Sequence, residues 1–129
     1  MGLLLEELPE IYAIVRLPAE AELPAWLGHG GLVSVTRTRD ELSIICLESD
    51  LPADLDAERN LRCIRVEGTI EMTEVGVLES MAAPLAEAGV PILALSTFDT
   101  DHLLVRSERM VAAREALERA GHTLRLLED

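Results

Sequence analysis

The chain has 129 residues, 49% hydrophobic but only 2% aromatic, so one ordinary domain or two small subdomains must close around an aliphatic interior. A formal net charge of −13 disfavours nucleic acid, which calls for a basic patch, and disfavours an anionic membrane surface. All 11 basic residues are arginine, which rules out lysine Schiff-base chemistry and a P-loop lysine on this chain.

The opening MGLLLEELPE has no basic start and carries acids early, so it does not read as a secretory signal. No apolar run approaches the roughly 20 residues of a membrane span. Residues 11–17 read as a strand. Residues 24–27 leave room for one helical turn, stopped by the glycine-rich stretch from Gly28 to Gly31. Residues 32–38 and 42–47 form a hairpin across Arg39-Asp40-Glu41, and residues 52–60 are acidic and loop-like. Cys46 and Cys63 each sit in an apolar, strand-like run with no C-x-x-C, as buried reduced thiols of a cytoplasmic protein would.

Residues 63–72 alternate, with Ile64, Val66, Gly68, Ile70 and Met72 on one face, and predict a half-exposed strand, or two strands joined at Gly68. A helix follows near Gly76, with Leu78, Met81, Ala82, Leu85 and Ala88 at helical spacing and Gly89 as its stop. Pro84 inside it removes the bond to the Ser80 carbonyl and should bend it there. Residues 92–98 and 101–105 predict a second hairpin across Asp99-Thr100. Ser107 is placed to cap a second helix, with Met110, Ala113, Leu117 and Ala120 as its buried stripe and Gly121 as its end. Residues 123–127 make the last strand.

The second half thus reads strand, helix, strand, strand, helix, strand. Two right-handed crossovers turn that order into a four-stranded antiparallel sheet with both helices on one face, an α+β ferredoxin-like plan. The first half reads as a shortened copy. Ser34-Val35-Thr36 falls beside Ser96-Thr97-Phe98, and Asp40 beside Asp101, although two unrelated hairpins fit these residues nearly as well.

Three places invite a chemical reading. Ser96, Asp99, Asp101 and His102 are close in sequence, but strand alternation sends Asp101 and His102 to opposite faces, and no G-x-S-x-G elbow is present, so no enzyme is expected. His29 and His122 are scattered and read as surface or capping residues, so neither a metal site nor a cofactor is expected. The loop through Glu74, Val75, Gly76 and Val77 opens a helix, where a glycine and free N–H groups favour a carboxylate. The competing reading makes Thr73 a plain N-cap and Gly76 a loop glycine. The hairpin tip from Ser96 to His102 offers hydroxyls and a carboxylate to an ammonium or guanidinium group, or is ordinary turn chemistry. On the residues alone, both places fit the plainer reading better.

The stretch GVLESMAAPLAEAGVPILALSTFDTDHLLV resembles the ACT-domain family. It looks most like small bacterial tandem-ACT proteins related to the cytosolic arginine sensors of the animal mTOR pathway. The resemblance rests on Gly76-Val77, on Pro84-Leu85, and on Leu95-Ser96-Thr97-Phe98 followed by Asp101-His102. In the first half it rests on Ser34-Val35-Thr36-Arg37-Thr38 and Leu42-Ser43-Ile44. It implies tandem ACT units, a degenerate one with shortened helices over residues 1–62 and a full one over residues 63–129. It implies an amino-acid-binding regulatory protein, with the ligand between the subunits of a symmetric homodimer. Glu74, Val77, Thr97, Phe98 and Asp101 match ligand-contacting positions, and Val75 and Gly76 lie in the same loop. Thr100 stands where the arginine sensors carry a large aromatic residue, so arginine itself is not implied. The alternative is an ACT-fold scaffold that binds protein and no small molecule.

Overall fold

The computed structural model describes residues 2–128. In chain order the elements are β1 (Leu4–Glu7), β2 (Tyr12–Leu17), β3 (Ser34–Arg37), β4 (Leu42–Leu47), β5 (Glu58–Val66), α1 (Val77–Glu87), β6 (Leu93–Ser96), β7 (Asp101–Arg106), α2 (Met110–Arg119) and β8 (Thr123–Leu126). They fall into two compact units. One is Glu10–Leu61; the other joins the N-terminal strand to the chain from Arg62 onward. The strand β5 gives its first residues to one unit and its last to the other.

In the Glu10–Leu61 unit the sheet order is β3-β4-β2-β5, every pair antiparallel. Ala13, Val15, Leu42, Ile44, Cys46 and Leu51 form its core. The places of the two helices are taken by a turn at Pro24–Leu27 and a short 3-10 segment at Glu48–Asp50, the shortened form expected. Residues 58–60 are strand where a loop was expected. The Arg59 guanidinium donates to the Pro52 and Leu55 carbonyls, both at 2.8 Å, and gathers the preceding turn against the strand. Both cysteines are free and buried. Burial pushes the Cys46 thiol up to about 11, so it stays protonated and unreactive.

In the other unit the order is β6-β7-β5-β1-β8. The expected four-strand sheet is there, but β1 is inserted between β5 and β8, antiparallel to the first and parallel to the second. A strand reading LLEE is an unpromising interior strand, because Glu6 and Glu7 are only 5% and 3% exposed. Arginines distant in sequence make it possible. Glu7, on the helix side, pairs with Arg62 at 2.7 Å and with Arg114 of α2. Glu6, on the other face, pairs with Arg65 at 2.8 Å and Arg125 at 2.9 Å. The Arg65 hydrogen bond, helped by Arg125, holds the Glu6 carboxyl below its ordinary range against the opposing effect of burial.

Both helices cover one face, where Val77, Met81 and Leu85 of α1 and Met110, Ala113, Ala116 and Leu117 of α2 meet Leu5, Ile64, Val66, Leu103 and Val105. The strand from Cys63 stops at Val66, short of the expected residue 72, and Gly68 takes a left-handed φ of 84°. Ser107 does not cap α2; its hydroxyl is buried without a partner and a 3-10 turn leads into the helix. Pro84 does sit inside α1, and the Ser80 carbonyl it frees receives the Nε2–H of His122 at 2.8 Å. His122 Nδ1 accepts the Leu3 amide at 3.0 Å. This histidine is 4% exposed and links α1 to the segment before β1; it is not a surface residue. Among the described residues no helix is long and apolar enough to cross a membrane.

The two hairpins also revise the internal correspondence. Thr38-Arg39-Asp40-Glu41 and Thr97-Phe98-Asp99-Thr100 are four-residue tips closed by the pairs Arg37–Leu42 and Ser96–Asp101. Asp40 therefore answers to Asp99, not to Asp101.

Candidate functional site

A cleft of ≈ 320 Å³ opens between the start of α1 and the tip of the β6–β7 hairpin. Two features shape its helix side. Gly76, the residue before α1, has φ 80° and ψ 4°, a left-handed conformation that glycine takes without a Cβ penalty. No side chain caps the helix, so Thr73 is not the N-cap. The first amides of α1 lack intrahelical partners and face the loop end. A Cβ built on Gly76 would meet nothing within 4 Å, so the backbone there lies open to an approaching group.

The hairpin side is fixed by its own hydrogen bonds. The Thr97 amide donates to the Thr100 carbonyl at 2.8 Å, and the Thr100 amide donates to the Thr97 hydroxyl at 3.3 Å. The Thr100 hydroxyl donates to the Val66 carbonyl at 2.9 Å, which buries it and ties the tip to the end of β5. The Asp99 carbonyl accepts the Ile70 amide at 2.7 Å, tying the tip to the loop that leads to α1. The two walls of the cleft are thus held together by backbone and hydroxyl groups, without using the carboxylates that line it.

Asp101 is the best-oriented of these carboxylates. Ser96 Oγ donates to its Oδ1 at 2.6 Å across the last pair of the hairpin. Glu71, Glu74 and Asp99 also line the cleft, and no basic side chain does. Phe98, the chain's one phenylalanine, is 88% exposed at the rim.

Six of the seven residues singled out in the sequence, Glu74, Gly76, Val77, Thr97, Phe98 and Asp101, line this one cleft. Val75 does not; its side chain is 84% exposed. Val77 is 5% exposed and forms the floor as a core residue. The orienting role of Ser96 escaped sequence reading, although a Ser and an Asp flanking a four-residue tip share one face, which is the signal that finds it. His102, next along β7, does not line the cleft. It is 6% exposed, and its Nδ1 is buried without a partner. Burial, and then the positive charge of Arg65, hold its pKa below the ordinary histidine range against the opposing pull of Asp101. Among the described residues no group of His, Cys, Asp and Glu is arranged to hold a metal ion.

A family model described as the ACT domain matches residues 56–119, and a second, describing an N-terminal domain, matches residues 10–54. No curated protein sequence matches. A crystal structure of a protein from Agrobacterium tumefaciens is 40% identical, covers 100% of this chain and 96% of its own, and superposes with a TM-score of 0.93. A Vibrio cholerae protein of unknown function, titled a possible transport protein, is 20% identical over 93% of this chain and 91% of its own, at a TM-score of 0.76. The regulatory subunit of aspartate kinase from Thermus thermophilus shares the fold at 14% identity, covering 86% of this chain and 93% of its own, with a TM-score of 0.56.

Proposed function

The chain carries an ACT domain and belongs to one family with the Agrobacterium tumefaciens protein, and on that footing we propose that it is a regulatory module that binds an amino acid in the Gly76–Asp101 cleft, between two copies of the chain. The observation that carries the reading is convergence. Glu74, Gly76 and Val77 on one side and residues 97–101 on the other, distant in sequence, meet around one cleft that pairs open helix amides with an oriented carboxylate. These are the complementary groups an amino acid presents: its carboxylate suits the start of α1, and its ammonium group suits Asp101. Gly76 lets the carboxylate reach the backbone, and Phe98 supplies an apolar wall. The regulatory role is supported by the name of the aspartate kinase neighbour, a regulatory subunit.

The inter-subunit placement is supported by β6. Among the described residues three strands, β3, β6 and β8, lie at sheet edges. Of these, β3 carries Arg37 and β8 carries Arg125, while β6 reads LALS and has no charge. Edge strands are ordinarily protected by charge, and an unprotected one invites a second strand. Two copies meeting antiparallel along β6 bury it without like-charge repulsion and bring a second chain to the rim of the cleft.

Calorimetric titration of the full chain with each of the twenty amino acids tests this. At least one is expected to bind below millimolar, and Asp101→Ala to weaken it more than about tenfold, the scale of one charge-assisted hydrogen bond. No binding across the panel, with unchanged melting temperature, returns the protein to the scaffold alternative.

A further inference from the structure

Both units build the same hairpin in the same sheet position. The orders β3-β4-β2 and β6-β7-β5 are equivalent. The tips close alike: the Thr38 amide donates to the Glu41 carbonyl at 2.9 Å, as the Thr97 amide donates to Thr100 at 2.8 Å. The Glu41 amide donates to the Thr38 hydroxyl at 3.2 Å, as the Thr100 amide donates to the Thr97 hydroxyl at 3.3 Å. With the tips superposed, the closing pairs correspond, so Arg37 takes the place of Ser96 and Leu42 the place of Asp101.

That exchange reverses the chemistry of the position. The carboxylate is replaced by Leu42, 0% exposed in the core of its unit. Beside it the guanidinium of Arg37 donates to the Ala19 carbonyl, in the segment that follows β2 as the cleft loop follows β5. Arg16, near the end of β2, donates to the Asp40 carbonyl at the hairpin tip at 2.8 Å. Two arginines of the unit itself therefore join the hairpin to the strand and segment before it.

We infer that Arg37, bonded to the Ala19 carbonyl, ties down the counterpart position of the hairpin in the Glu10–Leu61 unit, so that each chain holds a single ligand site. The inference rests on the ligand reading of the Gly76–Asp101 cleft. In the other unit an incoming ammonium group meets a cation where it needs an anion, and no carboxylate stands at the equivalent position to receive it. The degenerate unit keeps the hairpin frame and satisfies it internally.

The test is calorimetry of the full chain, using each of the twenty amino acids as probe, on the wild type, Asp101→Asn and Arg37→Ala. One ligand per chain is expected, with binding at least about tenfold weaker in Asp101→Asn and within about twofold of wild type in Arg37→Ala. A count near two, or binding that survives Asp101→Asn, overturns the inference while leaving a ligand-binding protein. No binding at all refutes the ligand reading itself. A second measurement needs no ligand. In a chain labelled with ¹⁵N-arginine, Arg37 is expected to show hindered guanidinium rotation and contact with Ala19; a freely rotating Arg37 overturns the inference whatever binds.

Discussion

Replacing His122 by alanine removes the ring that serves both Ser80 and Leu3, and the structure sets the size of the effect. Pro84 has no amide, so the Ser80 carbonyl four residues earlier lacks its helix partner and takes His122 Nε2 at 2.8 Å. Nδ1 accepts the Leu3 amide at 3.0 Å. An amide can only donate, so the ring must be the neutral Nε2–H tautomer. Deleting it orphans one carbonyl and one amide, each costing about 1–3 kcal/mol, with water recovering part at these half-buried groups. A total of about 2–4 kcal/mol follows, a large fraction of the ~5–15 kcal/mol that holds a domain together. Pro84→Ala separates the two halves of the effect, because the restored amide can itself donate to the Ser80 carbonyl. In that background the loss of His122 orphans only the Leu3 amide, and its cost is expected to fall by about 1 kcal/mol or more. Urea unfolding of the four proteins, followed by far-ultraviolet circular dichroism, measures the cycle. A His122→Ala penalty under about 0.5 kcal/mol, or one that Pro84→Ala leaves unchanged, refutes the account.

Stability is expected to fall on mild acidification because His102 is held neutral: the unfolded ring takes its proton near ~6.5, whereas burial and Arg65 delay protonation of the folded ring to lower pH. The stabilisation is complete above ~6.5 and is lost toward the lowered folded value, at no more than about 1.4 kcal/mol per pH unit, and His102→Gln should flatten this limb of the pH–stability profile. The Glu6 carboxyl, held down chiefly by the Arg65 hydrogen bond, adds stability above the ordinary carboxylate range that is lost only as pH falls through and below it, a limb that Glu6→Gln should remove. Glu7→Ala leaves the half-exposed Arg62 and Arg114 without their shared carboxylate and should cost about 1–3 kcal/mol in chemical denaturation, against under about 1 kcal/mol for the exposed Glu67→Ala. Gly31→Ala should destabilise the Glu10–Leu61 unit by about 1–3 kcal/mol, read by the fluorescence of Trp26 packed on its core. Gly31 has φ 61°, and a Cβ there would come within 2.6 Å of the Tyr12 hydroxyl that accepts the Leu32 amide.

Much of the architecture was legible in residue order alone. Short apolar runs between turn residues marked β2, β4 and β7, alternation marked the end of β5, and helical spacing with a terminal glycine marked α1 and α2, because a core-facing element must show its apolar residues locally. Local turn chemistry likewise marked both hairpins, and the candidate residues were found as two separate short segments, each with a plain structural explanation. The family resemblance sets the Gly76 loop and Asp101 at one ligand site; only the tertiary structure shows the cleft they line and that Ser96 orients the carboxylate. It also placed β1, whose LLEE sequence hides an interior strand, because its two buried acids depend on Arg62, Arg65, Arg114 and Arg125. The same holds for His122, which answers a vacancy that Pro84 creates 38 residues earlier in the chain, and for the hairpin register that sets Arg37 against Ser96. Alternation and capping are written within a few residues because backbone geometry repeats over that length. The partner of a buried charge or an orphaned carbonyl is chosen by where the fold brings distant segments together, and no local pattern records that choice.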